Sequence, residues 1–209
     1  MRTDDFNPET IARTAFFTGH RHLPGDAKPW ITDRIREALC EAYAAGYRRF
    51  FCGCALGFDT LAAFETLRLK EQHPDVILAA AVPCATQADR WSEHDRKVYR
   101  RILELADEKT VLSPVYFQGV MLSRNRYMAD RSSLCICYMT RLRGGTASAV
   151  RYALTREGTR IVNLAMENEK VLLRENTWNC MFISPSASGN AVTAPLSLMR
   201  RRKLTMKRT

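Results

Sequence analysis

The 209-residue sequence has no apolar stretch near the roughly 20 residues that a bilayer-crossing helix requires. Its first ten residues, MRTDDFNPET, are acidic and polar, whereas a secretion signal is basic and then apolar. Together these absences predict a cytoplasmic location. The cysteine pairs Cys52/Cys54 and Cys135/Cys137 leave a single residue between partners, shorter than the two to four residues usual for zinc, and no metal site is expected. The total of 7 cysteines is odd, and Cys40, Cys52, Cys54, Cys84, Cys135 and Cys137 lie in or beside apolar runs, so they read as reduced core residues. There is no internal repeat and no recognisable helix-turn-helix, zinc finger or RNA-stacking motif.

What is present is the composition of a folded chain, 46% hydrophobic and 26% charged, long enough for one core plus an appendage. The net charge of +10 is unevenly placed. Residues 199–209, MRRRKLTMKRT, carry six cations and no acid, which leaves only +4 for the rest. That tail reads as a solvated, flexible end, with nonspecific contact to nucleic acid as the other use of such a charge run.

Short, nearly continuous apolar runs at Thr14–Thr18, Arg49–Cys54, Val76–Val82, Thr110–Leu112, Leu134–Met139 and Arg160–Leu164 read as strands covered on both faces. Between them, Trp30–Ala45, Gly57–Gln72, Ala88–Ala106, Ser123–Ser132 and Thr146–Arg156 read as helices, the second carrying Leu61, Phe64, Leu67 and Leu69 near helical spacing. Strand alternating with helix predicts an α/β, Rossmann-like three-layer fold: a mostly parallel sheet with helices on both faces, and ligand-binding loops at the C-terminal strand edge. The domain spans residues 1–166. Residues 167–209, rich in Ser, Ala and Pro before the basic run, form the appendage.

Several junctions have the residues to hold an anion. Thr18-Gly19-His20-Arg21 closes the first strand with a small residue and two donors. In Gly53-Cys54-Ala55-Leu56-Gly57-Phe58-Asp59, glycines bracket a turn into a helix, where Asp59 either caps the helix or meets a ribose hydroxyl. Arg143-Gly144-Gly145-Thr146 combines two glycines, a capping threonine and a helix start into a phosphate cradle. Arg124 and Met128 share a helical face, so Arg124 reaches the ligand edge while Met128 packs below, beside Asn125. Trp91 and Glu93 are placed to wall the same cleft.

In order and spacing, these motifs together with Arg90-Trp91 and Arg124-Asn125-Arg126-Tyr127-Met128-Ala129-Asp130 resemble the YpsA-like family of the SLOG superfamily over roughly residues 14–165. That superfamily also holds the DNA-processing protein DprA and the Lonely-guy enzymes. The resemblance implies a nucleotide-related ligand held by Thr18, Gly19, His20, Arg21, Gly53, Ala55, Gly57, Asp59, Trp91, Arg124, Asn125, Arg143, Gly144, Gly145 and Thr146. Arg124 matches the arginine of the Lonely-guy site, but the acid that follows the glycine loop there is replaced by Ala147, Ser148 and Ala149.

The expected function is therefore binding or sensing of a nucleotide-derived molecule, of NAD or ADP-ribose type, with no certain cofactor. The alternatives are a nucleoside-phosphate hydrolase using Asp59, Glu93 or Asp130 in place of the missing acid, and DprA-like nucleic-acid binding through the tail. Self-association through an apolar helix stays open.

Overall fold

A computed structural model describes residues 7–165. The expected appendage, 167–209, lies outside the described residues. Six strands, β1 (Thr14–Gly19), β2 (Arg49–Cys52), β3 (Ile77–Val82), β4 (Glu108–Val111), β5 (Leu134–Tyr138) and β6 (Arg160–Asn163), form one sheet of order β4-β3-β2-β1-β5-β6 in which every pairing is parallel. The helices are α1 (Pro8–Ala12), α2 (Lys28–Ala44), α3 (Phe58–Gln72), α4 (Glu93–Leu105), α5 (Val120–Ala129) and α6 (Gly145–Leu154). None among the described residues is long and apolar enough to cross a membrane.

The period-two geometry of a strand divides the core. Ala15 and Phe17 of β1, Phe50 and Cys52 of β2, Leu78 and Ala80 of β3, and Leu134 and Ile136 of β5 pack on one face with Ile31, Ile35 and Leu39 of α2 and Ala62 of α3. Phe16, Phe51, Ala79, Ala81, Cys135 and Cys137 point the other way, against Met128 of α5 and Ala147 and Val150 of α6. Helices thus cover both faces, which is why these strands read as unbroken apolar runs.

The chain runs outward from β1 through β2 and β3 to β4. It then crosses back by α5 to β5 on the other side of β1. The direction of winding reverses between β1 and β5, so the loops leaving these neighbours part to opposite faces and open a crevice above their C-terminal ends. α5 forms one wall of that crevice. Its buried face, Val120, Arg124, Asn125, Met128 and Ala129, recurs at helical spacing with Arg124 near the open end and Met128 in the core beneath.

Several sequence expectations are corrected. β4 is an edge strand, with Lys109 and Val111 exposed and Glu108 and Thr110 half-buried, so the two-sided burial expected near Thr110–Leu112 does not occur there. α4 begins at Glu93 rather than Ala88, because Cys84–Trp91 turns through three i to i+3 hydrogen bonds, accepted by Cys84, Thr86 and Ala88, before Ser92 caps the helix. α3 buries Phe58, Asp59, Ala62, Ala63, Thr66 and Leu69, whereas Phe64 is exposed and Leu61 and Leu67 are half-buried: small residues make the middle of the buried face, and of the expected apolar stripe only Leu69 is fully buried. β2 ends at Cys52, since Cys54 adopts φ of 50° and leaves the strand. Cys40 is exposed on α2 and is not a core residue; the other five free cysteines are buried as expected. The short helix α1, capped by Asn7, carries too few apolar residues to have been read from the sequence.

Candidate functional site

The crevice holds a cavity of about 220 Å³ lined by the end of β1 (Phe17, Thr18, Gly19), the following His20 and Arg21, Ala55 and Asp59 from the β2–α3 junction, Met121, Arg124 and Asn125 of α5, and Gly145 and Thr146 of α6. Ten of the residues singled out in the sequence are therefore brought together by four separate segments.

At its centre, Arg124 and Asp59 are both buried, with only 8% and 6% of their side chains exposed. Their nearest approach, Arg124 Nη1 to Asp59 Oδ2, is 3.8 Å, too long for a hydrogen bond. Arg124 Nε donates to Asn125 Oδ1 at 2.8 Å, which orients the guanidinium. Among the described residues Nη1 has no hydrogen-bond acceptor. A buried guanidinium N–H without an acceptor costs on the order of 1–3 kcal/mol or more, which the Asp59 carboxylate at 3.8 Å offsets by charge but not by a hydrogen bond. Asp59 accepts from the backbone N–H of Ala55 at 3.3 Å and does not cap α3, whose N-cap is Gly57. Burial raises its carboxyl from 3.8 to about 6, against the lowering effects of Arg124, the Ala55 N–H and Arg21.

Gly53 and Gly57 do not line the cavity; they permit it. A Cβ on Gly53 would sit 1.4 Å from Arg124 Nη1, so only glycine lets the guanidinium lie across the strand end. Gly57, at φ of +78°, has its Cα against the carbonyl of Arg21, and the next residue, Phe58, donates its N–H to His20 O at 3.1 Å. The β1 and β2 loops are thereby clamped together.

At the other wall, Gly144 is the N-cap of α6, and Thr146 lies inside the first turn without a side-chain cap bond, contrary to the capping role expected for it. The first-turn N–H groups, from Gly145 onward, have no carbonyl four residues back in the helix, and a Cβ on Gly145 would meet open space. Arg143 is exposed and does not line the cavity. The backbone N–H of Thr140 donates to His20 Nε2 at 3.0 Å, so the ring proton of the neutral imidazole sits on Nδ1.

Trp91 lies in an adjoining trench of about 630 Å³ that shares Arg21 and Met121 with the first cavity. Glu93 is exposed and ion-paired with Arg96 and Lys97, and Asp130 is held by Tyr152 and Arg156, so neither lines the cavity; Asp59 is the carboxylate that does. Met121, Gln87 and Tyr116 also line these spaces and were not singled out in the sequence, because none sits in a glycine motif or a charge cluster. Among the described residues there is no group of three or more His, Cys, Asp or Glu placed to hold a metal ion. The thiol of Cys52 is raised well above its ordinary range, first by its contact with Cys54 and then by burial, and is not a nucleophile near neutrality.

An all-parallel sheet with a cationic crevice at its switch point defines the class: a Rossmann-like α/β protein. The chain belongs to the YpsA family, described as the YspA SLOG family, whose model matches residues 25–162. It is 29% identical over 117 residues to the SPbeta prophage-derived protein YoqJ of Bacillus subtilis, covering 50% of this chain and 68% of that one. Over 105 residues it is 33% identical to the UPF0398 protein BH1768 of Halalkalibacterium halodurans, covering 49% and 56% respectively. B. subtilis YpsA is 25% identical over 162 residues, covering 71% and 86%. In fold the chain is similar to DNA processing protein A from Streptococcus pneumoniae, with a TM-score of 0.52 at 15% identity, over 73% of this chain and 50% of that one.

Proposed function

We propose that the crevice binds a phosphate-bearing, nucleotide-type small molecule, of the NAD or ADP-ribose kind, and that the protein acts as a binding or sensing module. The observation that carries this reading is the buried Nη1 of Arg124, without an acceptor among the described residues, at the wall of a cavity that the start of α6 also lines. A phosphate bridging the two satisfies the guanidinium and the helix N–H groups at once. In a thermal-shift panel of AMP, ADP, NAD and ADP-ribose, a ligand at about 100 times its Kd adds roughly 2.7 kcal/mol, and each kcal/mol moves the midpoint by about 2–4 °C at this size. The expected result is a shift of several degrees that disappears in Arg124→Ala and in Gly145→Asp. No shift with any of the four overturns the reading.

A second reading, hydrolysis of the N-glycosidic bond, is favoured by one observation, the carboxyl of Asp59 raised to about 6 at the cavity wall. A carboxyl with that value keeps its proton up to about pH 6, well above an ordinary aspartate, and can donate it there to a leaving base. Hydrolysis of this kind releases a ribose phosphate, slows as pH rises past about 6, and stops in Asp59→Asn while binding persists. The nucleic-acid reading rests on the basic residues 199–209, outside the described residues.

A further inference from the structure

The trench beside the Arg124 cavity contains an acceptor that none of the described residues uses. Gln87 is buried, with 8% of its surface exposed, and lines the trench with Arg21, Arg90, Trp91, Tyr116 and Met121. Its Nε2 donates to Cys54 O at 2.8 Å and to Gly53 O at 3.4 Å. Those two carbonyls fix the amide's orientation, because a flipped amide would set oxygen against oxygen. Among the described residues Oε1 is left buried with no hydrogen-bond partner. Burying an acceptor in this way is costly unless a donor arrives.

The walls say what kind of donor. Trp91 is half-buried and fixed edge-on to Tyr99 at 5.3 Å, while Tyr116 is 64% exposed and lies on the same trench. Two aromatic side chains favour a flat ring over a sugar. The corner around Gln87 is rich in acceptors, namely its own Oε1 and the carbonyls of Gly53 and Cys54. An imide N–H, flanked by carbonyl groups, meets repulsion there, whereas an amino group does not. Since the trench shares Arg21 and Met121 with the phosphate cavity, one molecule can occupy both.

We infer that the trench lined by Trp91 and Tyr116 receives an amino-bearing nucleobase, whose exocyclic N–H donates to Gln87 Oε1. This inference rests on the nucleotide reading above and adds the base class to it: adenine- or cytosine-type ligands are preferred over those without an amino group.

The test is isothermal titration of the full chain with AMP, purine riboside 5′-monophosphate, which lacks only the amino group, and ribose 5-phosphate. In the wild type, AMP is expected to bind about tenfold more tightly than either of the others. Gln87→Met removes the preference for AMP over the purine riboside monophosphate. Trp91→Ala removes the preference for either base over ribose 5-phosphate, whose own affinity stays within about twofold in both variants. Equal binding of the three compounds by the wild type, or a preference for AMP that survives Gln87→Met, overturns the base trench and leaves the phosphate site standing. Failure of all three to bind overturns the base trench, and the phosphate site falls with it when ADP, NAD and ADP-ribose also give no thermal shift. Should Gln87→Met fail to fold, the wild-type comparison of AMP with purine riboside 5′-monophosphate, which needs no variant, decides the question.

Discussion

At the residue scale the site is organised by a cost. Burial disfavours the carboxylate form of Asp59 and outweighs the opposing effects of Arg124, the Ala55 N–H and Arg21, which leaves its value at about 6 in the folded protein against 3.8 otherwise. The native state therefore holds more protons than the unfolded chain between about pH 4 and pH 6, so this residue's contribution to stability is full below pH 4 and is lost as pH rises through about 6. The loss is on the order of 2–3 kcal/mol. Asp59→Asn abolishes that slope. Urea unfolding at pH 4, 5, 6 and 7 is expected to show the variant gaining on the wild type as pH rises; a constant difference across the series would contradict the burial argument. The sequence showed Asp59 as an acid at a helix start and left its role open between cap and sugar contact. Only the fold shows that its carboxylate turns back to Ala55 and faces Arg124, which arrives from α5, 65 residues later in the chain.

At the element scale the glycines divide into two kinds that look alike in the sequence. Gly53 and Gly57 are required by contacts inside the protein, whereas Gly145 faces open space at the first turn of α6. Gly57→Ala forces a left-handed backbone onto alanine and places a Cβ 2.2 Å from Arg21 O, so it is expected to cost about 2 kcal/mol or more in urea unfolding. Gly145→Ala leaves stability within about 0.5 kcal/mol. Gly53→Ala displaces the end of a flexible side chain rather than backbone. Its main effect is expected on ligand affinity, read as a lost thermal shift in a protein that still folds. Periodicity placed the strands and most helix bodies within a few residues, because burial on both faces makes strands uniformly apolar and helices do not share that pattern. It failed on α3, where close approach to the sheet selects alanine and threonine over leucine, and on the turn before α4, which no glycine marks.

At the scale of the whole molecule, the reversal of winding between β1 and β5 turns four ordinary junctions into one site. Charge is distributed differently, with six of the ten net positive charges in residues 199–209, away in sequence from every residue of the cavity. Deleting 199–209 is expected to leave nucleotide affinity within about twofold, while any affinity for DNA or RNA weakens and loses most of its salt dependence. Fluorescence anisotropy with a labelled oligonucleotide at several salt concentrations reads the second effect; a nucleotide affinity that falls with the tail would tie the two functions together.

The sequence by itself determined the alternation of strand and helix, the two-sided core and the motifs that carry the family resemblance, because each is written in residues close along the chain. Tertiary structure decided the strand order, the pairing of Arg124 with Asp59, the exclusion of Arg143, Glu93 and Asp130 from the cavity and the unused acceptor on Gln87. These depend on which segments meet after the chain crosses back over the sheet, and on how deeply each polar atom is removed from water when they do.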